Sequence, residues 1–179
     1  MSEFYNIKIA GLERSLKRFP VSDKLDIAAF ILFGDTEITV ASAKELLEKS
    51  PEFDIILTPE AKSIPLAYEM SRQSGKPYVV ARKGMKVYLG DPVKVEVRSI
   101  TTNNVQTLYL GSDEVERVKG KKVLIVDDVI STGESLAAVR ELVAASGGIE
   151  AASVAVLAEG DAAKRDDIIF LEPLPLFFK

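Results

Sequence analysis

The side chains whose types and spacing most clearly allow chemistry are two adjacent carboxylates, Asp127-Asp128, and the small hydroxyl-rich turn that follows them, Ser131-Thr132-Gly133-Glu134-Ser135. Backbone N–H groups and hydroxyls from Ser131 to Ser135 can converge on one anion, beside the positive end of any helix that starts there. Carboxylates next to a bound phosphate suit hydrogen-bond donors such as sugar hydroxyls, so a phosphorylated ribose satisfies both halves. Elements that would position these groups flank them. Val123-Leu124-Ile125-Val126 reads as a strand buried on both faces, with the acidic pair where it ends. From Ser135, Leu136, Val139, Leu142 and Val143 fall on one helical face. The plainer alternative is a buried strand with two solvated carboxylates and a helix capped by Ser131 or Thr132.

Two further stretches carry charge at strand ends. Pro59-Glu60-Ala61-Lys62-Ser63 lies at a strand-to-helix junction, where free N–H groups and Lys62 face an anion. Arg82-Lys83, with Lys86 nearby, follows the strand Tyr78–Ala81. A solvated helix start and a solvated basic turn are the bland versions of these two. If all three strands are parallel neighbours, their loops open onto one crevice. With no histidine and no cysteine in 179 residues, chemistry must run on Asp, Glu, Lys, Arg, Ser, Thr, Tyr or an oxygen-held metal. Neither a G-x-x-x-x-G-K-[ST] loop nor a G-x-G-x-x-G fingerprint is present.

The chain's length suits one domain with a sizeable core. An apolar fraction of 47% with 28% charged residues reads as globular, and a net charge of −4 disfavours general nucleic-acid binding. The longest apolar run, Ile27 to Phe33, is too short for a bilayer, and no secretory signal is legible, so a cytoplasmic location is expected. Residues 5 to 20 read as short extended pieces around Gly11, and Leu25 to Phe33 as a strand or short helix. Asp35 or Thr36 caps a helix through Lys49. Phe53–Leu57, a helix to about Ser74 and Tyr78–Ala81 make a β-α-β unit. Strict alternation from Val93 to Arg98, a tight turn at Asn103-Asn104 and a return over Val105–Leu110 give a hairpin spanning residues 84 to 110. Ala151–Ala158 and Ile168–Leu171 are the last strands. Pro173 and Pro175 end regular structure, leaving an apolar Leu176-Phe177-Phe178 end. The sum is a doubly wound α/β parallel sheet.

The stretch from Val123 to Ser135 resembles the 5-phosphoribosyl-1-pyrophosphate (PRPP) motif of the type I phosphoribosyltransferases, with closest similarity to their adenine-type members from about Phe53 to Val156. The resemblance implies a parallel sheet with a projecting hairpin over about residues 84–110 and a small N-terminal hood over about residues 1–35. It also implies transfer of a phosphoribosyl group from PRPP to a purine base, with Mg²⁺ carried by PRPP, in a homodimer. By that resemblance Asp127 and Asp128 hold the ribose, and Ser131, Thr132, Gly133, Glu134 and Ser135 hold the 5′-phosphate. Glu60, Ala61, Lys62, Ser63, Arg82, Lys83 and Lys86 meet pyrophosphate, and Val129 and Ile130 meet the base. Asp127, Asp128, Lys62 and Arg82 carry catalysis. A non-proline cis peptide is implied as well, with Glu60–Ala61 the candidate bond.

Three departures from that pattern stand out. Glu134 replaces a glycine of the phosphate loop, Thr101 replaces a hairpin glutamate, and the hood is matched only at Phe19-Pro20. Adenine is the first expectation for the base. The alternatives are xanthine, hypoxanthine or guanine, or a catalytically idle PRPP sensor.

Overall fold

The computed structural model describes residues 3–98 and 105–179. Five strands form a parallel sheet: β4 (Ile55–Pro59), β5 (Tyr78–Ala81), β8 (Lys122–Ile130), β9 (Ile149–Glu159) and β10 (Ile169–Leu174), in the order β10-β9-β8-β4-β5. The chain steps outward from β4 to β5 through one helix. It then returns past β4 to β8 and steps the other way, so the order reverses between β4 and β8. Adjacent strands diverge at such a reversal and leave a crevice at their carboxyl ends.

Alternating side chains of β8 explain why both faces are covered. Leu124 and Val126 join one core with α1 (Thr36–Lys49) and α2 (Ile64–Ser74). Val123 and Ile125 join the other with α4 (Glu134–Ala145). All four are at most 1% exposed, and burying each stabilises the fold by about 1.5–3 kcal/mol. Asp35 caps α1, its carboxylate accepting from the Ile38 N–H at 3.2 Å. At the other end of α2, Gly75 takes the left-handed conformation (φ 69°) that closes the helix.

A second, antiparallel sheet is built from β1 (Phe4–Ile9), β2 (Leu12–Ser22), β3 (Leu25–Ala28) and the short β11 (Phe177–Phe178). Its Ile7, Ile9 and Leu16 pack into the α1–α2 core. The Leu25–Phe33 stretch is therefore a strand only as far as Ala28; beyond it, Phe30 and Leu32 are buried in irregular backbone. Strand β10 starts one residue later than the sequence suggested and continues through Pro173 to Leu174. It is an edge strand, where a residue without an N–H is tolerated. The apolar end is anchored as β11, with Phe177 edge-on to Tyr5 at 5.3 Å and under the Arg18 guanidinium at 4.1 Å.

The hairpin differs from the expected projecting arm. Residues 84–92 are a loop with one 3-10 turn, Val87–Leu89, and pairing is confined to β6 (Val93–Arg98) and β7 (Val105–Leu110). Val95, Leu108 and Leu110 are buried in the α4 core, because the alternation that marks these strands also gives them an apolar face to cover. Reciprocal 2.8 Å backbone hydrogen bonds between Arg82 and Tyr109 tie β7 to the end of β5. The Asn103-Asn104 turn and Thr101 lie outside the described residues. Between β7 and β8 a short helix, α3 (Ser112–Val118), was not foreseen from the sequence.

Candidate active site

Strand β8 runs four residues beyond Val126, so the acidic pair lies within it rather than at its end. Asp128 is buried, and its Oδ2 stands 2.8 Å from Lys62 Nζ. That ion pair is the partner the described residues give this buried oxygen, which accepts no further hydrogen bond from them. Asp127 turns one oxygen back onto the Asp128 N–H at 2.9 Å. Burial, reinforced by the neighbouring Asp128 charge and only partly offset by Lys62, pushes the Asp127 carboxyl up to about 7. Lys62 and the Asp128 N–H fill only part of the pair's acceptor capacity, which leaves room for donors from a ligand.

The chain leaves β8 through Ser131-Thr132 and turns at Gly133 (φ 82°), which caps α4 and whose carbonyl receives the Ala137 N–H at 2.9 Å. Leu136, buried one turn in, fixes the helix start beneath the loop. This leaves first-turn N–H groups facing outward as an anion cradle. A Cβ at position 133 would also collide with Arg165 Nη1, the far end of a long side chain that would have to move aside.

Across the reversal, the Glu60–Ala61 peptide between β4 and α2 is cis, as the resemblance implied. The Thr58 hydroxyl lies 2.8 Å from both Ser63 Oγ and the Val126 carbonyl, and Ser63 donates to the Pro59 carbonyl at 3.1 Å. These bonds stitch the loop to β8. Glu60 does not face the crevice alone. It accepts the Lys83 N–H at 3.0 Å and meets Arg82 Nη1 at 3.5 Å, which together hold its carboxyl below the usual range.

One cavity of about 600 Å³ unites most of the expected groups: Glu60, Ala61, Lys62, Ser63, Lys83 and the run Asp127 to Ser135, including Val129 and Ile130. Arg82 and Lys86 do not line it. Arg82 is turned onto Glu60, and the exposed Lys86 acts on that carboxylate only through its charge. The Ser63 hydroxyl is spent inside the loop, so its contribution there is backbone. Three apolar wall residues, Leu108, Leu136 and Ala138, were missed by sequence reading, as were two charged neighbours. One is Glu159, at the carboxyl end of β9, whose carboxyl is raised by burial and eased by Lys62. The other is Arg165. The signal available for Glu159 was its place at the carboxyl end of a strand, whereas Arg165 lies beyond the 3-10 turn Gly160–Lys164 and carried no such signal. Among the described residues no three His, Cys, Asp or Glu side chains converge as a metal cluster, and no helix is long and apolar enough to cross a membrane.

The model of the phosphoribosyl transferase domain family matches residues 36–174, wider than the span read from the motif. The chain belongs to the type I phosphoribosyltransferases. An adenine phosphoribosyltransferase of Kosmotoga olearia is 33% identical over 141 residues, covering 78% of this chain and 74% of that protein. A hypoxanthine/guanine phosphoribosyltransferase of Methanotorris igneus is also 33% identical, covering 86% of this chain and 85% of that one. The fold matches the crystal structure of adenine phosphoribosyltransferase from Thermoanaerobacter pseudethanolicus with a TM-score of 0.72, at 22% identity, over 88% of this chain and 95% of that one. The family is one of glycosyl-transferring enzymes, and the parallel sheet with its reversal is its fold.

Proposed function

We propose that this chain is a purine phosphoribosyltransferase that binds PRPP and transfers its phosphoribosyl group to a ring nitrogen of a purine, adenine first. The observation that carries the reading is the single cavity in which an anion cradle, the Asp127-Asp128 pair and the Lys62 loop meet at the strand reversal. In the reaction the bond between ribose C1 and pyrophosphate oxygen breaks, the electron pair leaves with pyrophosphate, and a C–N bond forms as the base loses its proton to water. The sugar passes through an oxocarbenium-like state. Ser131 to Ser135 hold the 5′-phosphate, and Asp127 and Asp128 accept from the ribose hydroxyls. Lys62 and Lys83 steady the charge that grows on pyrophosphate. Arg82 joins them when the anion draws it from Glu60, with Ala61, Ser63 and Lys86 around the same end. Val129 and Ile130 offer the base an apolar surface.

The donor set fits Mg²⁺, which prefers hard oxygen ligands and keeps its waters; the buried Asp128 Oδ2, met by Lys62 alone, is such an oxygen. Asp127 and Asp128 would hold a PRPP-bound Mg²⁺ through water, and the ion would supply added neutralisation of the leaving pyrophosphate. A homodimer is part of the proposal, supported by the exposed Met85, Val87 and Tyr88 directly after the basic pair.

Adenine and the 6-oxopurines are distinguished by assay. Incubation with PRPP, Mg²⁺ and adenine, hypoxanthine, guanine or xanthine, one at a time, is expected to give nucleotide and equimolar pyrophosphate with adenine. Product from another purine would move the substrate but keep the enzyme. Tight PRPP binding with no product from any base would favour a PRPP sensor, the reading that Glu134 on the cavity wall supports.

A further inference from the structure

The connection from β9 to β10 brings a cation against the phosphate loop. Arg165 Nε and Nη2 grip Asp167 at 2.8 and 2.7 Å, a bidentate pair that fixes the guanidinium plane. Asp167 is itself held by Arg140 of α4, with Nη1 at 2.6 Å to its carboxylate and Nη2 at 3.0 Å to its carbonyl, and Arg140 Nε reaches Glu150 at 2.9 Å. Two of the three nitrogens of Arg165 are thereby committed. The third, Nη1, rests against Gly133, where a Cβ would collide with it. The Arg165 side chain is only 30% exposed. An isolated surface ion pair contributes little, but a bidentate pair built into a network is the exception. Here the network runs from the helix that the phosphate loop caps, out to the β9–β10 connection, and back to the loop itself.

We infer that Arg165 is a positioning residue for the phosphate loop. It holds the turn at Gly133 in its anion-receiving shape and keeps a guanidinium of fixed orientation beside the loop. The inference rests on the phosphoribosyltransferase reading and assigns Arg165 to the phosphate end of the substrate.

The test compares wild type with Arg165→Gln, Arg165→Lys and Asp167→Asn by titration with PRPP, ribose 5-phosphate and pyrophosphate in Mg²⁺, with kinetics and thermal midpoints alongside. Arg165→Gln is expected to weaken PRPP and ribose 5-phosphate by about tenfold, the size of one lost charge-assisted contact, while pyrophosphate binding stays within about twofold. The KM for PRPP should rise with kcat nearly unchanged. Arg165→Lys should recover part of the loss, and Asp167→Asn, which keeps the charge and frees its orientation, should fall between. A lower thermal midpoint with unchanged ribose 5-phosphate affinity would make Arg165 merely structural and overturn the inference. Equal weakening of pyrophosphate would overturn it too. Failure of wild type to bind PRPP would remove the functional reading on which it rests.

Discussion

The loop after β8 and the loop after β4 stand side by side at the carboxyl end of the sheet, yet they hold their charges differently. Near the end of β8 the carboxylates come first, one buried and one pushed toward neutrality, and the anion cradle beyond the strand is backbone. After β4 the cations are side chains. Lys62 is already spent on Asp128, and Arg82 from the loop after β5 is spent on Glu60, so the cations at this end are partly neutralised by the protein's own carboxylates. The first loop waits for donors and a phosphate. The second must exchange internal partners for an external one. Substrate binding therefore costs more rearrangement at the pyrophosphate end, and the two loops should respond differently to substitution.

The largest effect is expected from Asp128→Asn, alone or with Asp127→Asn. Removing the buried acceptor charge should cost at least about 10³-fold in kcat/KM for PRPP, with an unchanged circular-dichroism spectrum showing that the fold survives. Lys62→Gln comes next. It should lower kcat about 10²-fold, by removing a cation from the leaving group, and steady-state rates at saturating PRPP would report it.

A pH effect separates the loops further. The raised Asp127 carboxyl makes burial of its charge unfavourable. Its stabilising neutral form is fully present below the unfolded value of 3.8 and is lost as pH rises through about 7. The free protein should therefore lose stability from this group as pH rises from about 4 to about 7, and Asp127→Asn should flatten that part of the profile in denaturant titrations. The smallest effect is expected at Glu60. Glu60→Gln frees Arg82, so pyrophosphate inhibition should tighten by about two- to fivefold; weaker inhibition would mean that the carboxylate orients the cations rather than competing for them.

The part of the site that could be read from the sequence was the part written contiguously. Strand, acid pair, cradle and helix follow one another from Val123 to Ser135, and each local preference agrees with the fold. Asp35 was legible for the same reason, because a cap and the N–H it binds are three residues apart. What stayed hidden depends on contacts between distant segments. Lys164-Arg165-Asp166-Asp167 looks like a solvated charge run until β9 and α4 bring Gly133 and Arg140 to it. The alternation of Val93 to Arg98 revealed a strand but not that its apolar face would lie on α4. Seven residues were too few for α3 to show a period. The orientation of Arg82 was equally beyond sequence, because its partner Glu60 lies on another loop.

That the two loops serve one molecule is tested most directly by calorimetric titration of the wild-type protein with PRPP in Mg²⁺, set beside ribose 5-phosphate. Both loops engaged together should give one PRPP per chain, bound at least about tenfold tighter than ribose 5-phosphate, since only PRPP spans the cradle and the Lys62 loop. PRPP that does not bind, or binds no tighter than ribose 5-phosphate, would contradict it.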